Sequence, residues 1–117
     1  LNSHPSLLPK YKGYYSITDA LKAKEKFIGV TVHKMTSEID CGEILSQSVI
    51  KRNHNWSLFQ NYIAAYEISV DTICNALKNI HNKSEILGKT DSSSKYYRMP
   101  TKEDVTFFKK NNKILWI

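Results

Sequence analysis

Asn2 and His4 are the residues whose types and spacing suggest chemistry most directly. Pro5 disfavours helical backbone at His4, so the segment is predicted to be extended. Side chains two residues apart point the same way in an extended segment, which places an amide beside an imidazole. Such a pair could stabilise an oxyanion and manage a proton during acyl transfer. The alternative is a polar strand end that leads into a proline-bounded loop, and two residues alone do not distinguish these interpretations.

Further along the chain, three other residues could contribute to a site. Asp40 and Gly42 have turn chemistry, because aspartate can bond its own backbone and glycine allows a positive φ. Taken alone, Asp40 is therefore interpreted as a turn residue. His33 lies on a predicted strand and could face a site, or it could be a hydrogen-bonded structural residue.

One helix and two strands are expected to position these residues. They are a helix from Ser16 to about Lys26, opened by a loose capping box with Asp19, and strands over residues 27–35 and 43–51. In the first strand Val30 and Val32 share one face, and His33 lies on the other.

A long second helix is predicted over residues 56–79, with Asn53 or Asn55 as its cap. Its large apolar residues alternate spacings of four and three, which is the clearest periodicity in the chain. They are Phe59, Ile63, Tyr66, Val70, Ile73, Leu77 and Ile80. We interpret this stripe as the face that lies on a sheet, with Ala64 and Cys74 packed beside it. The alternative is the seam of a homodimer.

The C-terminal part is more polar and more basic. Residues 82–117 hold eight Lys or Arg and four Asp or Glu, and so carry +4 of the net charge of +6. Acids separate the bases, which favours a solvated face over a nucleic-acid site. Residues 82–95 are predicted to form a loop. A short helix follows from a cap at Thr101 to about Lys110, and residues 113–117 form an apolar edge strand or packed terminus.

Composition excludes several other classes of protein. No apolar run approaches the roughly 18 residues of a membrane span. Cys41 and Cys74 lie far apart, as expected for buried reduced thiols, and a cytoplasmic location is predicted. The four histidines are scattered, so no metal site is predicted.

Three segments, taken in order, resemble the folate-dependent formyltransferases, a family that includes glycinamide ribonucleotide, methionyl-tRNA and amino-sugar formyltransferases. The first reads N-x-H-P-S-L-L-P at residues 2–9 and continues K-Y-K-G at residues 10–13. The second reads G-V-T-V-H at residues 29–33, and the third reads I-D-x-G-x-I-L at residues 39–45. The resemblance covers roughly the first 80 residues.

The resemblance implies an α/β fold, namely part of a Rossmann-like sheet with flanking helices. Residues 1–81 would be the C-terminal part of the catalytic domain, and residues 82–117 would be a basic extension with a short helix. The N-terminal half of the domain is missing from this sequence, so this chain alone is expected to be inactive. A truncated, non-catalytic dimerisation module is the alternative from another class.

The resemblance also implies roles for individual residues in formyl transfer from 10-formyltetrahydrofolate to a primary amine. Asn2 would donate a hydrogen bond to the oxyanion. His4 would act as a second donor or accept the proton of the amine, and Asp40 would hold the imidazole or an ordered water. The expected sites are catalytic Asn2, His4 and Asp40, a folate pocket at Ile39, Asp40 and Gly42, and substrate contacts at Ser6 and His33.

The acceptor is expected to be a small-molecule amine, such as a ribonucleotide or an amino group on a nucleotide-linked sugar. Methionyl-tRNA is the alternative acceptor. The aromatic, basic segment Tyr96, Tyr97 and Arg98 could cover such a ligand or only pack the tail.

Overall fold

The structure, which is a computed structural model, describes residues 1–110. These residues contain six strands and three helices. In chain order they are β1 (Asn2–His4), β2 (Lys12–Gly13), α1 (Ser16–Lys22), β3 (Phe27–His33), β4 (Gly42–Lys51), α2 (Leu58–His81), β5 (Gly88–Thr90), β6 (Tyr96–Tyr97) and α3 (Lys102–Lys110). No helix among these residues is long and apolar enough to cross a membrane.

The main sheet has the strand order β1-β3-β4-β5, and each neighbouring pair is antiparallel. The register places Asn2 opposite His33 and His4 opposite Thr31. Because paired residues on one face lie close together across a sheet, this register brings the N-terminal motif to the end of β3. The α/β class predicted from the sequence is confirmed.

A second, two-stranded sheet joins the loop after β1 to the C-terminal part. Strands β2 and β6 are parallel, with Lys12 opposite Tyr96 and Gly13 opposite Tyr97. Gly13 has a φ of 119°, and a Cβ there would lie 2.1 Å from the carbonyl oxygen of Tyr97. Only glycine fits both the backbone conformation and the close approach.

Helix α2 covers one face of the main sheet with small side chains, and its larger residues Leu58, Tyr62 and Ile68 pack beside them. Its buried residues are Asn61, Ala64, Ala65, Thr72 and Ala76. One core cluster joins Ile17, Leu21, Val30, Ala65 and Phe108, and a second joins Val32, Leu45 and Ala76. Val30 and Val32 both pack against α2, which confirms the prediction that they share one face of their strand.

The prediction that the large apolar residues of α2 face the sheet is wrong. All seven are exposed, with exposed fractions of 37–66%. We call them the outer stripe: Phe59, Ile63, Tyr66, Val70, Ile73, Leu77 and Ile80. Both faces of α2 have helical periodicity, and the face of small residues packs on the sheet because it lets the two backbones approach closely. Cys74 is also exposed, contrary to the prediction.

Helix α1 ends at Lys22, four residues before the predicted end. Lys24 has a φ of 56°, and the amide of Glu25 donates to the carbonyl of Ala20. This arrangement is a Schellman motif, here with a lysine in the position that glycine usually takes. The predicted capping box is absent, since the N-cap is Tyr15 and no side chain bonds there.

Helix α2 begins with a different cap from the one predicted. Ser57 is the N-cap, and its side chain and that of Gln60 form a reciprocal capping box. The side chain of Asn53 instead accepts from the amide of Asn55 in the preceding turn. The asparagines therefore shape the turn, and the serine opens the helix.

The described residues after α2 pair with the main sheet and pack into its core. The predicted loop over residues 82–95 contains β5, which pairs with β4. The predicted short helix is confirmed as α3, where the side chains of Thr101 and Asp104 each bond the other's amide and Phe108 enters the core. Strand β3 stops at His33, two residues before its predicted end. The predicted segment 113–117 lies outside the described residues, and the division at residue 81 stays a prediction.

Candidate active site

Asn2 lies between a carboxylate and an imidazole. Its Nδ2 donates to Asp40 Oδ1 at 3.2 Å and lies 3.1 Å from His33 Nε2. His33 Nδ1 lies 2.9 Å from the carbonyl of Lys34, so it carries the proton in the neutral ring, and Nε2 is the acceptor. Both N–H groups of the Asn2 amide are thus engaged, which fixes the orientation of the side chain.

His4 lies behind Asp40 in the same cluster and is buried. Its Nδ1 is 3.4 Å from Asp40 Oδ2, and its Nε2 is 3.0 Å from the carbonyl oxygen of Tyr11. Both neighbours are hydrogen-bond acceptors. A neutral imidazole has one N–H and can donate to only one of them, whereas an imidazolium donates to both. The geometry therefore prepares His4 to receive a proton.

Burial and charge act in opposite directions on these two groups. Burial lowers the pKa of His4, and the nearby Asp40 raises it, with a net pKa below the usual 6.5. Burial raises the pKa of Asp40, but His33, His4 and the Gly13 amide together hold it below its usual value. At neutral pH the site thus holds a carboxylate beside a neutral imidazole.

The backbone of β2 fixes the carboxylate of Asp40. The amide of Gly13 donates to Asp40 Oδ2 at 2.8 Å. Asp40 itself has a φ of 51°, a left-handed conformation that aspartate tolerates better than most residues. The turn that was predicted for residues 39–42 thus also aims the carboxylate at the N-terminal motif.

A cavity of about 240 Å³ opens beside Asn2 and Asp40. Its walls are formed by Asn2, His33, Met35, Thr36, Ser37, Glu38, Ile39 and Asp40. His4 is not among them, so it can act on a bound molecule only through Asp40 or a water. The volume is somewhat below the roughly 300–1,000 Å³ of sites for drug-sized ligands, which suits the reacting end of a larger molecule.

The structure brings most of the predicted site residues together. Asn2, His4, Asp40 and His33 form one cluster, and Ile39 lines the cavity beside it. Gly42 does not line the cavity. Its φ is 148°, and a Cβ there would lie 2.2 Å from the carbonyl oxygen of Lys34, so close contact with the backbone already requires glycine.

Ser6 lies apart from this cluster. Its hydroxyl donates to the carbonyl of Lys10 at 2.9 Å and is buried within its own loop. Thr31 also supports this loop, because its hydroxyl donates to the carbonyl of Ser6 and accepts from the amide of Leu8. A substrate contact by Ser6 stays a prediction.

Sequence reasoning missed the two backbone groups that hold the side chains of Asp40 and His4. The carbonyl of Tyr11 and the amide of Gly13 lie in the K-Y-K-G segment, which was noted only as part of the motif. Backbone groups of this kind cannot be recognised from residue type, and only the glycine at position 13 gives a signal in the sequence. Among the described residues, no group of His, Cys, Asp and Glu could hold a metal ion.

Comparison with known proteins shows the family to which the chain belongs. The family model described as "Formyl transferase" matches residues 1–63, more than half of the chain, and the chain belongs to that family. The bifunctional polymyxin resistance protein ArnA of Wigglesworthia glossinidia brevipalpis is 40% identical over 101 residues. This match covers 82% of the chain and 15% of that protein. The methionyl-tRNA formyltransferase of Thermotoga neapolitana is 33% identical over 105 residues, covering 89% of the chain and 34% of that protein.

Solved structures show the same fold. WlaRD, a sugar 3N-formyl transferase crystallised with dTDP and 5-N-formyl-THF, has a TM-score of 0.70 and 28% identity. The match covers 83% of this chain and 36% of that one. The N-formyltransferase from Helicobacter canadensis, in complex with folinic acid and dTDP-3-aminofucose, has a TM-score of 0.69 and 27% identity, over 88% of this chain and 38% of that one. The chain thus spans about a third of the length of these two structures and of the methionyl-tRNA formyltransferase, and 15% of the length of ArnA.

Proposed function

We propose that this chain carries the catalytic cluster of a formyltransferase that moves a formyl group from 10-formyltetrahydrofolate to a primary amine. The observation that carries the proposal is the cluster of Asn2, His33 and Asp40 on the wall of the cavity, with His4 behind them. The donor would supply an activated formyl carbon. The cavity fits its reacting end, because an amide donor and a carboxylate lie on the same wall.

Asn2 would stabilise the oxyanion that develops on the formyl oxygen. Since both of its N–H groups already have acceptors, the oxyanion has to replace one of them. The bond to His33 is the one to exchange, because a bond to the Asp40 carboxylate is charge-assisted and therefore stronger. His33 would thus hold Asn2 in place until the reacting atoms arrive.

Asp40 and His4 would take the proton that the attacking amine loses. Asp40 lines the cavity and can accept a hydrogen bond from the amine or from a bridging water. The proton would then rest on His4 Nδ1, facing Asp40 Oδ2 at 3.4 Å, while Nε2–H donates to Tyr11. When the bond between the formyl carbon and N10 of the donor breaks, His4 would return this proton through Asp40 or a water to N10, so that tetrahydrofolate leaves as a neutral amine. The low pKa of His4 leaves its imidazole neutral and available as a base at neutral pH.

For the acceptor, we favour an amino sugar linked to a nucleotide. WlaRD and the Helicobacter canadensis enzyme are crystallised with dTDP or dTDP-3-aminofucose. In this chain, the exposed rings of Tyr14 and Tyr96 lie 6.4 Å apart, edge to face. Tyr14 directly follows Gly13, which holds Asp40, so this aromatic pair stands beside the site and could stack a nucleobase.

The test of the formyltransferase proposal is the turnover of the protein expressed from its own gene. Asp40→Asn should lower kcat about 100-fold or more, with little change in the KM for 10-formyltetrahydrofolate, because the variant loses proton handling and keeps the cavity. Asp71→Asn, at an exposed position on α2, is the matched control. An effect confined to KM would refute the role of Asp40.

The acceptor class needs a separate measurement. Tyr14→Leu and Tyr96→Leu should raise the KM for a dTDP- or UDP-linked amino sugar, with kcat retained. Tyr66→Leu, which removes an exposed tyrosine on α2, should leave both parameters unchanged. Preference for formylation of methionyl-tRNA over every sugar nucleotide would reject this acceptor and keep the chemistry.

A further inference from the structure

Two residues near His4 have a left-handed backbone that no helix end explains. Tyr11 has a φ of 58°, and Asp40 has a φ of 51°. The other described non-glycine residues with a positive φ, Lys24 and Lys83, lie just after α1 and α2, where helices commonly end in this way. This conformation is rare for a bulky side chain, and where it occurs the surrounding contacts hold it, often at a functional site.

Tyr11 and Asp40 also provide the two hydrogen-bond acceptors that face the ring of His4. The carbonyl oxygen of Tyr11 lies 3.0 Å from His4 Nε2, and Asp40 Oδ2 lies 3.4 Å from His4 Nδ1. The Ser6 hydroxyl is 3.5 Å from the same carbonyl but donates at 2.9 Å to that of Lys10. Aspartate tolerates the left-handed region, whereas tyrosine does not. The conformation of Tyr11 therefore has to be maintained by contacts of its side chain.

The side chain of Tyr11 makes two such contacts. Its hydroxyl donates to Glu25 Oε1 at 2.9 Å, and its ring lies against that of Tyr97, with 5.3 Å between the ring centroids. Glu25 is itself fixed, because its amide donates to the carbonyl of Ala20 in α1 and its carboxylate also accepts from Lys10. Burial, and next the bond to Glu25, raises the pKa of the Tyr11 hydroxyl, which therefore stays protonated and remains a donor. These contacts tie Tyr11 to the segment after α1 and to β6, and they offset the backbone strain.

The carbonyl of Tyr11 determines which nitrogen of the neutral His4 ring carries the proton. A carbonyl oxygen can only accept, and 3.0 Å is a normal distance for a hydrogen bond from Nε2–H. The 3.4 Å between Nδ1 and Asp40 Oδ2 is longer than the roughly 2.7–3.2 Å of such a bond. With the proton on Nδ1 instead, the lone pair of Nε2 would face the carbonyl oxygen. The Nε2–H tautomer leaves the lone pair of Nδ1 free on the side of Asp40.

We propose that Tyr11 is a positioning residue that fixes the tautomer of His4. Its side chain maintains the left-handed backbone, and the carbonyl of that backbone keeps the proton of the neutral ring on Nε2. Asp40 and His33 are the other titratable groups that act on His4, and the substitutions in the test leave both unchanged. The catalytic consequence rests on the proposed function, because Nδ1 is the atom that would receive the proton of the amine. The tautomer itself can be measured without turnover.

NMR of ¹⁵N-labelled histidine in the protein expressed from its own gene tests this role, since two-bond correlations between ring nitrogens and carbon-bound protons distinguish the tautomers. The pKa of His4 lies below the usual 6.5, so its ring is neutral at about pH 7.5, and His4→Gln identifies its signals.

Three substitutions of Tyr11 separate the side-chain contacts from the backbone conformation. Tyr11→Ala removes both contacts and keeps a Cβ that disfavours a positive φ. It should move His4 toward the Nδ1–H tautomer and lower kcat about 10-fold, with the KM for the donor retained. Tyr11→Gly, the matched control, removes the same contacts but adopts a positive φ without strain, and should keep the Nε2–H tautomer. Tyr11→Phe loses only the bond to Glu25 and should give a smaller shift.

Circular dichroism shows whether each variant is folded. A wild-type His4 that carries its proton on Nδ1, or a folded Tyr11→Ala that keeps Nε2–H, would overturn the proposal. Should Tyr11→Ala not fold, an unchanged tautomer in Tyr11→Phe would overturn it as well. Equal shifts in Tyr11→Ala and Tyr11→Gly would overturn the role of the backbone conformation. The expected tautomers in a protein that transfers no formyl group would support the role of Tyr11 and reject the proposed function.

Discussion

Replacement of Asp40 by asparagine should destabilise the protein strongly, although the two side chains have nearly the same shape. Oδ2 of Asp40 accepts from the Gly13 amide at 2.8 Å, and Oδ1 accepts from Asn2 Nδ2 at 3.2 Å. An asparagine must present its NH₂ group to one of these donors. One buried donor then loses its partner, and the other loses the charge of its acceptor.

The size of this effect follows from those two bonds. An unsatisfied buried donor costs about 1–3 kcal/mol, and a hydrogen bond to a charged group contributes about 1.5–3 kcal/mol. We expect Asp40→Asn to lower the free energy of unfolding by about 3 kcal/mol, and the Tm by roughly 10–20 °C for a domain of this size. Thermal unfolding followed by circular dichroism at pH 7 measures it, with Asp71→Asn as control.

The same variant makes a prediction about pH. The pKa of Asp40 is lowered in the folded protein, so its carboxylate contributes stability above the unfolded value of 3.8, and this contribution is lost as the pH falls through the folded pKa. The difference between wild type and Asp40→Asn should therefore shrink in acid. Equal Tm values for Asp40→Asn and Asp71→Asn at pH 7 would refute the geometry assigned to this carboxylate.

Three further predictions concern other parts of the fold. Gly13→Ala should lower the free energy of unfolding by about 2 kcal/mol or more, because the position needs a positive φ and the Cβ clashes with backbone. Gly88→Ala, whose Cβ would meet only the side chain of Ile44 at 4.0 Å, should change it little in the same urea titration. Ser57→Ala should cost about 1 kcal/mol by removing the cap of α2, read from the thermal midpoint at 222 nm. The pKa of His4 is lower in the folded protein than in the unfolded chain, so the wild type should lose stability as the pH falls below about 6.5. His4→Gln removes this titrating group, and its loss of stability between pH 7.5 and 5.5 should therefore be smaller.

Each of these predictions can fail in a definite way. If Gly13→Ala and Gly88→Ala are equally stable, β2 does not approach β6 as described. A Ser57→Ala helix that melts like the wild type would place the start of α2 elsewhere. If His4→Gln keeps the full pH dependence, the acid sensitivity comes from other titrating groups.

The N-terminal motif was the part of the site most accessible from the sequence. Asn2 and His4 were identified from spacing and from Pro5, and Asp40 gained its role from the resemblance to a family. The contact between His33 and Asn2 could not be predicted from spacing or from the resemblance. Their contact depends on the register between β1 and β3, and no local pattern encodes how two strands 31 residues apart align.

Helix α2 shows a different limit of sequence reasoning. Its periodicity correctly predicted a long helix, but hydrophobicity alone pointed to the wrong face. Ala65 and Ala76 bury less apolar area than Ile73 or Leu77, yet they permit close packing on β3 and β4. Which face a helix buries depends on the shape of the sheet it meets, and that shape exists only after the strands have paired.

The most direct test of the proposed site is a calorimetric titration of this chain with 5-formyltetrahydrofolate, a stable analogue of the formyl donor. We expect one molecule to bind per chain. Ser37→Trp, which fills the cavity from an exposed position, should abolish the binding, and Ser92→Trp, at an exposed position that does not line the cavity, should leave it intact. Binding that survives Ser37→Trp, or no binding by the folded wild-type chain, would contradict the assignment of this cavity to the formyl donor.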